Sequence, residues 1–384
     1  MSGVAVIGVG MTPVSSTSDK SLTELFVQAA KEAIDYAGVD RVDAIYVGNM
    51  MSGFLQHQEH LGPLMASALG REGVPTYKVE AACASGGVAM NVGMKAVLSG
   101  LDKIVVVGGV EKMSGYSTPE VTTGLMMAED RLRVATSGVT FVGLNAMIAR
   151  EYMHRFKVSH EIMAELPVLC HENALDNPMA QFHKRITVSD VLKSPLVADP
   201  LRLYDCSGIG DGAAVVILTS TKEARKFTDT PVEVAASSVA SDTLSLYQRK
   251  DITMFEASRT AANEAYARSK LTPADVDVLE VHDAFSVLGL MALEDLGFIQ
   301  KGKGAQLLVN GECNRDGRLP TNTFGGLKAR GHPVGASGMY QIAELTLQLS
   351  QHAAKCQVPD PNIGLAQSIG GIGSTVAVHI LRRT

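Results

Sequence analysis

The sequence contains no tryptophan, and its 384 residues include only five cysteines. The cysteines are widely scattered and form no Cys-x-x-Cys pair, so the pattern favours neither a disulfide framework nor a zinc knuckle. No basic residue precedes Lys20, and apolar runs such as Ile104–Val107 are far shorter than the roughly 20 residues needed to span a bilayer. We therefore expect a cytoplasmic protein with no secretory signal and no membrane partner.

Acidic residues outnumber basic ones, with 40 Asp and Glu against 34 Lys and Arg, which gives a net charge of −6. This balance argues against a general nucleic-acid-binding protein, although an anionic substrate could still bind at a local basic patch. Hydrophobic residues make up 46% of the chain, and the 37 glycines favour a tightly packed α/β protein with many turns. The length allows two domains or one large duplicated domain.

The spacing of apolar residues predicts alternating strands and helices. In the first half we predict strands over Val4–Ile7, Asp43–Val47 and Ile104–Val110, a helix over Ser21–Ala37, and a later strand over Asp211–Leu218. Between the last two of these strands the strand pattern disappears. The helical segments there are rich in methionine, which is more typical of an adaptable core than of a cofactor site.

The second half of the chain repeats the order of the first. Ala261–Ala265 matches Ala29–Ala33, and an apolar strand pattern follows each of them. Gly335–Gly338 opens a predicted helix in the way that Cys83–Gly86 does. We infer two β-α-β units related by pseudo-twofold symmetry, with functional groups at matching ends of both units.

Cys83 stands at the start of a helical pattern and is followed by a run of small residues that continues to Gly87. The free N–H groups of a first helical turn carry partial positive charge, so a cysteine there tends towards the reactive thiolate. The same N–H groups can stabilise an oxyanion on a carbonyl that the sulfur attacks. The alternative is a buried structural cysteine, a common fate of free cysteines.

Glu80–Gly87 resembles the nucleophile segment of the thiolase superfamily, in particular its archaeal and sterol-carrier-type branch. The resemblance covers essentially the whole chain and implies an α/β protein with a duplicated five-layer αβαβα architecture and an inserted, mainly helical loop domain. It divides the chain into an N-terminal half (1–112 plus 207–225), a loop domain covering the substrate (113–206) and a C-terminal half (226–384). The further segments that resemble thiolase, in the same order along the chain, are Val107–Met113, Glu280–Phe285, Gly325–Gly338 and Gln367–Ser374.

The resemblance also implies residue roles. Cys83 would be the nucleophile that carries the acyl group, and His332 the base that deprotonates it. His332 with His282, which stands where other thiolases carry Asn, would hold an enolate oxygen, and the N–H groups of Cys83 and Gly370 would form a second donor set. Ser368 belongs to the loop of Gly370. The candidates for substrate binding are Ser337, Phe285 and Arg202.

The sequence departs from the family pattern at the second acid/base. Most thiolases carry a second cysteine where Ser368 stands, and sterol-carrier-type enzymes place one where Ala284 stands. This chain has neither. A serine hydroxyl is too weak an acid to replace a thiol easily, so proton transfer at the substrate carbon would fall to His282, to His332 or to water.

The resemblance predicts an acyl-CoA C-acyltransferase that condenses two acetyl-CoA molecules to acetoacetyl-CoA and CoA, or runs the reverse thiolysis. One alternative is a thiolase-like aldolase or C-acyltransferase with a non-CoA acceptor. Another is a non-catalytic scaffold subunit. We expect no tightly bound cofactor, with the coenzyme A thioester as substrate. A homodimer or tetramer, an OB-fold zinc-ribbon protein and hydroxymethylglutaryl-CoA synthase are the partners that the family implies. The pair His57-x-x-His60 lacks a third ligand, so we predict no metal site.

Overall fold

The computed structural model describes residues 3–384, within which the chain forms eleven strands and fourteen α-helices. The strands are β1 Val4–Met11, β2 Ala44–Gly48, β3 Thr76–Val79, β4 Val105–Glu111, β5 Leu196–Ala198, β6 Leu201–Arg202, β7 Gly212–Ser220, β8 Val232–Ser241, β9 Val278–Glu280, β10 Ile363–Gly370 and β11 Thr375–Arg383. The helices are α1 Leu22–Ala37, α2 Ser52–Leu55, α3 Leu61–Ala68, α4 Ser85–Ser99, α5 Thr118–Met126, α6 Phe141–Phe156, α7 His160–Met163, α8 Glu165–Ala174, α9 Val188–Lys193, α10 Thr221–Ala224, α11 Glu256–Ser269, α12 Ser286–Asp295, α13 Gly304–Val309 and α14 Ser337–Leu349.

Nine of the strands in residues 3–384 form one mixed sheet in the order β3-β2-β4-β7-β1-β8-β11-β10-β9. The first strands of the two halves, β1 and β8, pair antiparallel from Val4 with Val234 to Val6 with Val232. On the outer side of this pair, β7 pairs antiparallel with β1, and β11 pairs antiparallel with β8. The strand order matches outward from the β1 and β8 pair on both sides, except that, among the described residues, the edge strand β3 of the first half has no counterpart in the second half. The predicted duplication is confirmed in this arrangement of strands.

The packing of helices on the faces of the sheet produces five layers. Helix α1 packs on β1, β4 and β7 and closes one outer face of the first half. The opposite face shares a core with α4 and α14, and this core also contains residues of the second half, such as Val234 and Leu381. Helix α11 covers the outer face of β8 and β11. The two central helices therefore lie between the two half-sheets, as the predicted αβαβα architecture requires.

Close backbone approach brings the first turns of the two central helices together. A Cβ added at Gly86 would lie 2.9 Å from the carbonyl oxygen of Gly335, and one added at Gly338 would lie 2.6 Å from the nitrogen of Gly87. Only glycine allows these contacts. The predicted match between the two helix starts is confirmed, since each helix begins at the serine of its Ala-Ser-Gly sequence.

Two predictions of strands were wrong. The first strand does not end at Ile7, as predicted, but continues to Met11. Gly8 and Gly10 lie within the strand and allow it to pack closely against α1. A Cβ at either glycine would lie 2.3 or 2.1 Å from a carbonyl oxygen of that helix. Strands also do not disappear between residues 113 and 206, where β5 and β6 form a short antiparallel pair. This pair lies apart from the large sheet and is too short to leave an alternating pattern.

Within the described residues 3–384, none of the helices combines the length and apolar character needed to cross a bilayer.

Candidate active site

Cys83 lies in a tight turn two residues ahead of the first helical residue of α4, Ser85. Ala82, directly before it, has a φ of +51°, a left-handed conformation that is uncommon for a residue with a side chain. The Ser85 hydroxyl stabilises the turn by accepting the N–H of Ala81 at 2.9 Å and donating to the carbonyl oxygen of Ala82 at 2.6 Å. Strained backbone held by local hydrogen bonds is common at functional sites.

The expected tendency of Cys83 towards the thiolate is contradicted by its surroundings. The residue is half-buried and packs with apolar side chains that include Met51, Phe54 and Val334. This burial, together with the carboxyl group of Glu111, raises the pKa of the Cys83 thiol to about 12. Loss of hydration outweighs the partial charge of the helix N-terminus, because Cys83 precedes the helix rather than lying in its first turn. At neutral pH the sulfur is therefore a thiol that needs a base.

Hydrogen bonding at His332 indicates which of its ring nitrogens carries the proton. Its Nδ1 lies 2.7 Å from the Ser337 hydroxyl oxygen, and that hydroxyl donates to the carbonyl oxygen of Pro333 at 3.2 Å. With its single hydrogen directed at Pro333, the hydroxyl accepts from His332, and this assignment places the ring proton on Nδ1 and the lone pair on Nε2. Burial lowers the pKa of His332 well below its usual value, so the imidazole is neutral.

His282 has the opposite arrangement. Its Nδ1 accepts the backbone N–H of Ile369 at 3.2 Å, so in the neutral ring the proton is on Nε2. Burial, with the Arg330 charge nearby, lowers the pKa of His282 to about 3. The rings of His282 and His332 lie edge to face, with centroids 5.2 Å apart. The site thus contains one imidazole that accepts a proton through Nε2 and one that donates through Nε2.

The end of β10 connects these histidines to the Cys83 turn. The Ser368 hydroxyl donates to the carbonyl oxygen of Cys83 at 3.5 Å, and Ile369 holds His282 as described. A Cβ added at Gly370 would lie 2.3 Å from the carbonyl oxygen of Ala81. The lack of a side chain at Gly370 therefore allows the β10 end to lie against the Cys83 turn. The Cys83, His282 and Gly370 segments, far apart in sequence, meet at one place.

Of the candidates for substrate binding, only Ser337 contacts a histidine of the site. Phe285 pairs its backbone with Cys206, just ahead of α12. Arg202 donates through Nη1 to the carbonyl oxygen of Ser194 at 2.8 Å, so its guanidinium helps to hold its own segment.

Glu111, at the end of β4, is a buried site residue whose role the sequence did not indicate. Its carboxyl group accepts the side-chain amide of Asn49 at 2.8 Å and the backbone N–H groups of Met50, Met51 and Gly335, each at 3.0 Å. It therefore ties the end of β2 to the segment that follows His332. Burial raises the pKa of Glu111 to about 7. A carboxylate directly after a buried strand ending in Gly-Gly was the available signal.

The residues of the His57-x-x-His60 pair make no metal cluster in the structure. Glu59, between them, forms an ion pair with Lys78 at 3.2 Å. Across residues 3–384, no three His, Cys, Asp or Glu side chains come together in a way that could hold a metal ion.

Comparison with known protein families identifies both halves of the chain. The thiolase N-terminal domain family matches residues 4–222, and the thiolase C-terminal domain-like family matches residues 238–383. This chain belongs to the thiolase family. The thiolase resemblance inferred from the sequence is thereby confirmed, and the thiolase fold accounts for the duplicated architecture.

Relatives that match nearly all of this thiolase chain include two archaeal proteins and one human protein. The acetyl-CoA acetyltransferase of Methanothermobacter thermautotrophicus is 48% identical over the whole of both chains, and that of Methanocaldococcus jannaschii is 39% identical over 99% of each. Human sterol carrier protein 2 is 31% identical over 99% of this chain and 72% of its own length. A solved structure, the Ltp2-ChsH2(DUF35) aldolase, shares the fold with a TM-score of 0.85 at 24% identity, covering 99% of this chain and 97% of that one.

Proposed function

We propose that this thiolase is an acetyl-CoA C-acetyltransferase, which condenses two acetyl-CoA molecules to acetoacetyl-CoA and CoA, or runs the reverse thiolysis, through an acetyl-Cys83 intermediate. Full-length similarity to two archaeal acetyl-CoA acetyltransferases supports the substrate and reaction. The observation that carries the mechanism is the pair of opposite imidazole tautomers next to the Cys83 turn.

In the first half-reaction, Sγ of Cys83 attacks the carbonyl carbon of acetyl-CoA while its proton passes to Nε2 of His332. Because thiol and imidazole are both neutral at rest, the proton moves as the carbon–sulfur bond forms. The N–H groups of Cys83 and Gly370 would hold the oxyanion, consistent with the close approach of the Gly370 and Cys83 segments. The CoA thiolate leaves and takes the proton from His332, which returns to the neutral form.

In the second half-reaction, a second acetyl-CoA loses a proton from the carbon beside its carbonyl. His282 is unsuited to remove it, because Ile369 occupies its Nδ1 lone pair and Nε2 carries a proton. We assign the base to Nε2 of His332, and the Nε2–H of His282 to the enolate oxygen. The enolate carbon then attacks acetyl-Cys83, the carbon–sulfur bond breaks, and the sulfur regains the proton from His332. One histidine would thus serve both steps in a chain with Ser368 and Ala284 at the usual cysteine positions.

We propose the same division of the chain that the family implies, with thiolase halves at 1–112 plus 207–225 and at 226–384, and a loop domain at 113–206. Neither strand of the loop segment joins the large sheet, which supports its separation. We further propose a cytoplasmic homodimer or tetramer with no tightly bound cofactor. An OB-fold zinc-ribbon protein and hydroxymethylglutaryl-CoA synthase remain the proposed protein partners, on family grounds alone.

The test is the covalent intermediate. The purified protein is incubated with acetyl-CoA, digested and analysed by peptide mass spectrometry, while free CoA is measured in parallel. We expect an acetyl group on the Cys83 peptide and at least one CoA released per site, with neither product in Cys83→Ala. An unmodified wild-type protein that releases no CoA would contradict the proposal, and acetoacetyl-CoA thiolysis separates a thiolase from an aldolase.

A further inference from the structure

The turn after β10, Gly370–Ser374, presents Gly370 to the nucleophile segment, and its shape depends on contacts from outside the turn. Internally it has three hydrogen bonds, all to the carbonyl oxygen of Gly370: from the N–H groups of Gly373 and Ser374, each at 3.2 Å, and from the Ser374 hydroxyl at 3.4 Å. Gly371 and Gly373 have φ values of +59° and +88°, which are open to glycine over a wide range. A turn so rich in glycine needs other groups to fix it in one conformation.

Arg249 supplies the most direct of these contacts. It lies in the loop between β8 and α11, and its side chain is 3% exposed. Its Nη1 donates to the carbonyl oxygen of Ile372, at the tip of the turn, at 2.5 Å. Its Nη2 donates to the carbonyl oxygen of Thr243 at 3.2 Å, and its Nε lies 3.7 Å from the Asp242 carboxylate. The guanidinium therefore joins the tip of the turn to the loop in which Arg249 lies.

Two further contacts make this arrangement rigid. The guanidinium carbon of Arg249 lies 5.0 Å from the ring centre of Phe255, and the same ring packs on Gly373, where an added Cβ would lie 2.7 Å from it. The N–H of Asp242 donates to the carbonyl oxygen of Ser374 at 2.9 Å. The loop thus contacts three successive residues of the turn, 372 to 374. Arg249 contacts one of these residues, Ile372, directly, and it also contacts Phe255 and Asp242, the loop residues that contact the other two.

We propose that Arg249 is a positioning residue of this enzyme, which fixes the Gly370–Ser374 turn and thereby places the N–H of Gly370. Arg249 touches no reacting atom in this scheme and acts through the carbonyl group of Ile372. The catalytic consequence rests on the proposed function, because it requires that the Gly370 N–H holds the thioester oxygen. The mechanical consequence, a turn that loosens without Arg249, is independent of the chemistry.

The experiment compares Arg249→Met and Arg249→Lys with the wild type. Arg259→Met is the matched control, because Arg259 is exposed and contacts only Met254 and Glu256 through its guanidinium. Hydrogen exchange followed by mass spectrometry reports on the backbone amides of the turn. We expect the amides of Gly373 and Ser374 to exchange about tenfold faster in Arg249→Met, while strand β7 keeps its wild-type rate.

The second measurement is single-turnover acetylation of Cys83 by acetyl-CoA. Complete loss of an oxyanion-hole donor lowers rates by about 10²- to 10³-fold, so a misplaced donor should lower the acetylation rate by about 10- to 100-fold. The acetyl-CoA concentration at half-maximal rate should change less than about twofold, and iodoacetamide labelling of Cys83 should not change, because neither depends on the oxyanion donor. Arg249→Lys retains the positive charge but has a single ammonium group in place of the forked guanidinium. In both measurements it should give values between those of the wild type and Arg249→Met.

The outcomes separate this inference from the proposed function. Wild-type exchange at the turn in Arg249→Met would overturn the positioning role, whatever the chemistry. If the turn amides of Arg249→Met exchange faster but Cys83 is acetylated at the wild-type rate, the catalytic consequence of the positioning role is overturned. A wild-type protein that never acetylates Cys83 would defeat the proposed function, while the exchange measurement would still decide whether Arg249 fixes the turn. If Arg249→Met does not fold, Arg249→Lys decides the same questions.

Discussion

The resting state of Cys83 offers the sharpest prediction. Burial and the carboxyl group of Glu111 raise its pKa from 9.0 to about 12. At pH 8 the thiolate fraction is then about a thousandfold lower than that of a thiol with an unshifted pKa, which corresponds to about 4 kcal/mol. A more basic thiolate is also more nucleophilic, by a Brønsted exponent of about 0.4–0.5, which recovers about 20-fold of this loss. The net expectation is alkylation about 50-fold slower than that of an unshifted thiol.

Iodoacetamide labelling of the Cys83 peptide, followed by mass spectrometry between pH 6 and pH 10.5, tests this expectation. Because the pKa lies near 12, the rate should rise about tenfold per pH unit over the whole range, without a plateau. Glutathione, labelled in the same samples, provides the unshifted reference and should level off within the range. A Cys83 rate that levels off below pH 8 would show a resting thiolate, and would refute the conclusion that burial outweighs the helix N-terminus.

Three further predictions address the base, the oxyanion turn and a buried carboxyl group. Ser337→Ala removes the acceptor that fixes the Nδ1 proton of His332. We therefore expect kcat to fall at least about tenfold, while KM stays within about twofold of the wild-type value. An unchanged kcat would contradict the tautomer assignment. Gly370→Ala places a Cβ 2.3 Å from the carbonyl oxygen of Ala81, and steady-state assays should show kcat lowered by about 10²- to 10³-fold, whereas a near-normal kcat would exclude a donor role for Gly370. Burial raises the pKa of Glu129 from 4.5 to about 7, against the opposing effect of the Arg249 charge. The folded state therefore retains a proton that the unfolded chain releases, and stability falls as the pH rises from about 4.5 to about 7. Glu129→Gln should remove this loss. Measured by urea denaturation, its effect on the free energy of unfolding should be more favourable at pH 8 than at pH 5, by at most about 3 kcal/mol; an equal effect at both pH values would contradict the raised pKa.

Local sequence patterns predicted most of the sheet, because apolar periodicity reports directly on burial. The strand of Asp211–Leu218 and the helix of Ser21–Ala37 were correct to within two residues. The end of β1 was wrong because glycine has two uses that the sequence does not distinguish. The predicted strand ended at Ile7, before Gly8 and Gly10, whereas these glycines continue the strand and allow α1 to pack closely on it.

The family was available from the sequence alone, and with it the proposal that Cys83 is the nucleophile, since the segments around Cys83, His282 and His332 are short, contiguous and specific. What those groups do at rest depended on neighbours distant in the chain. The proton positions of the two histidines follow from Ser337 and Ile369, and the pKa of Cys83 follows from burial against residues such as Val334. Hydration and hydrogen bonding are properties of the assembled site, so only the tertiary structure could decide them.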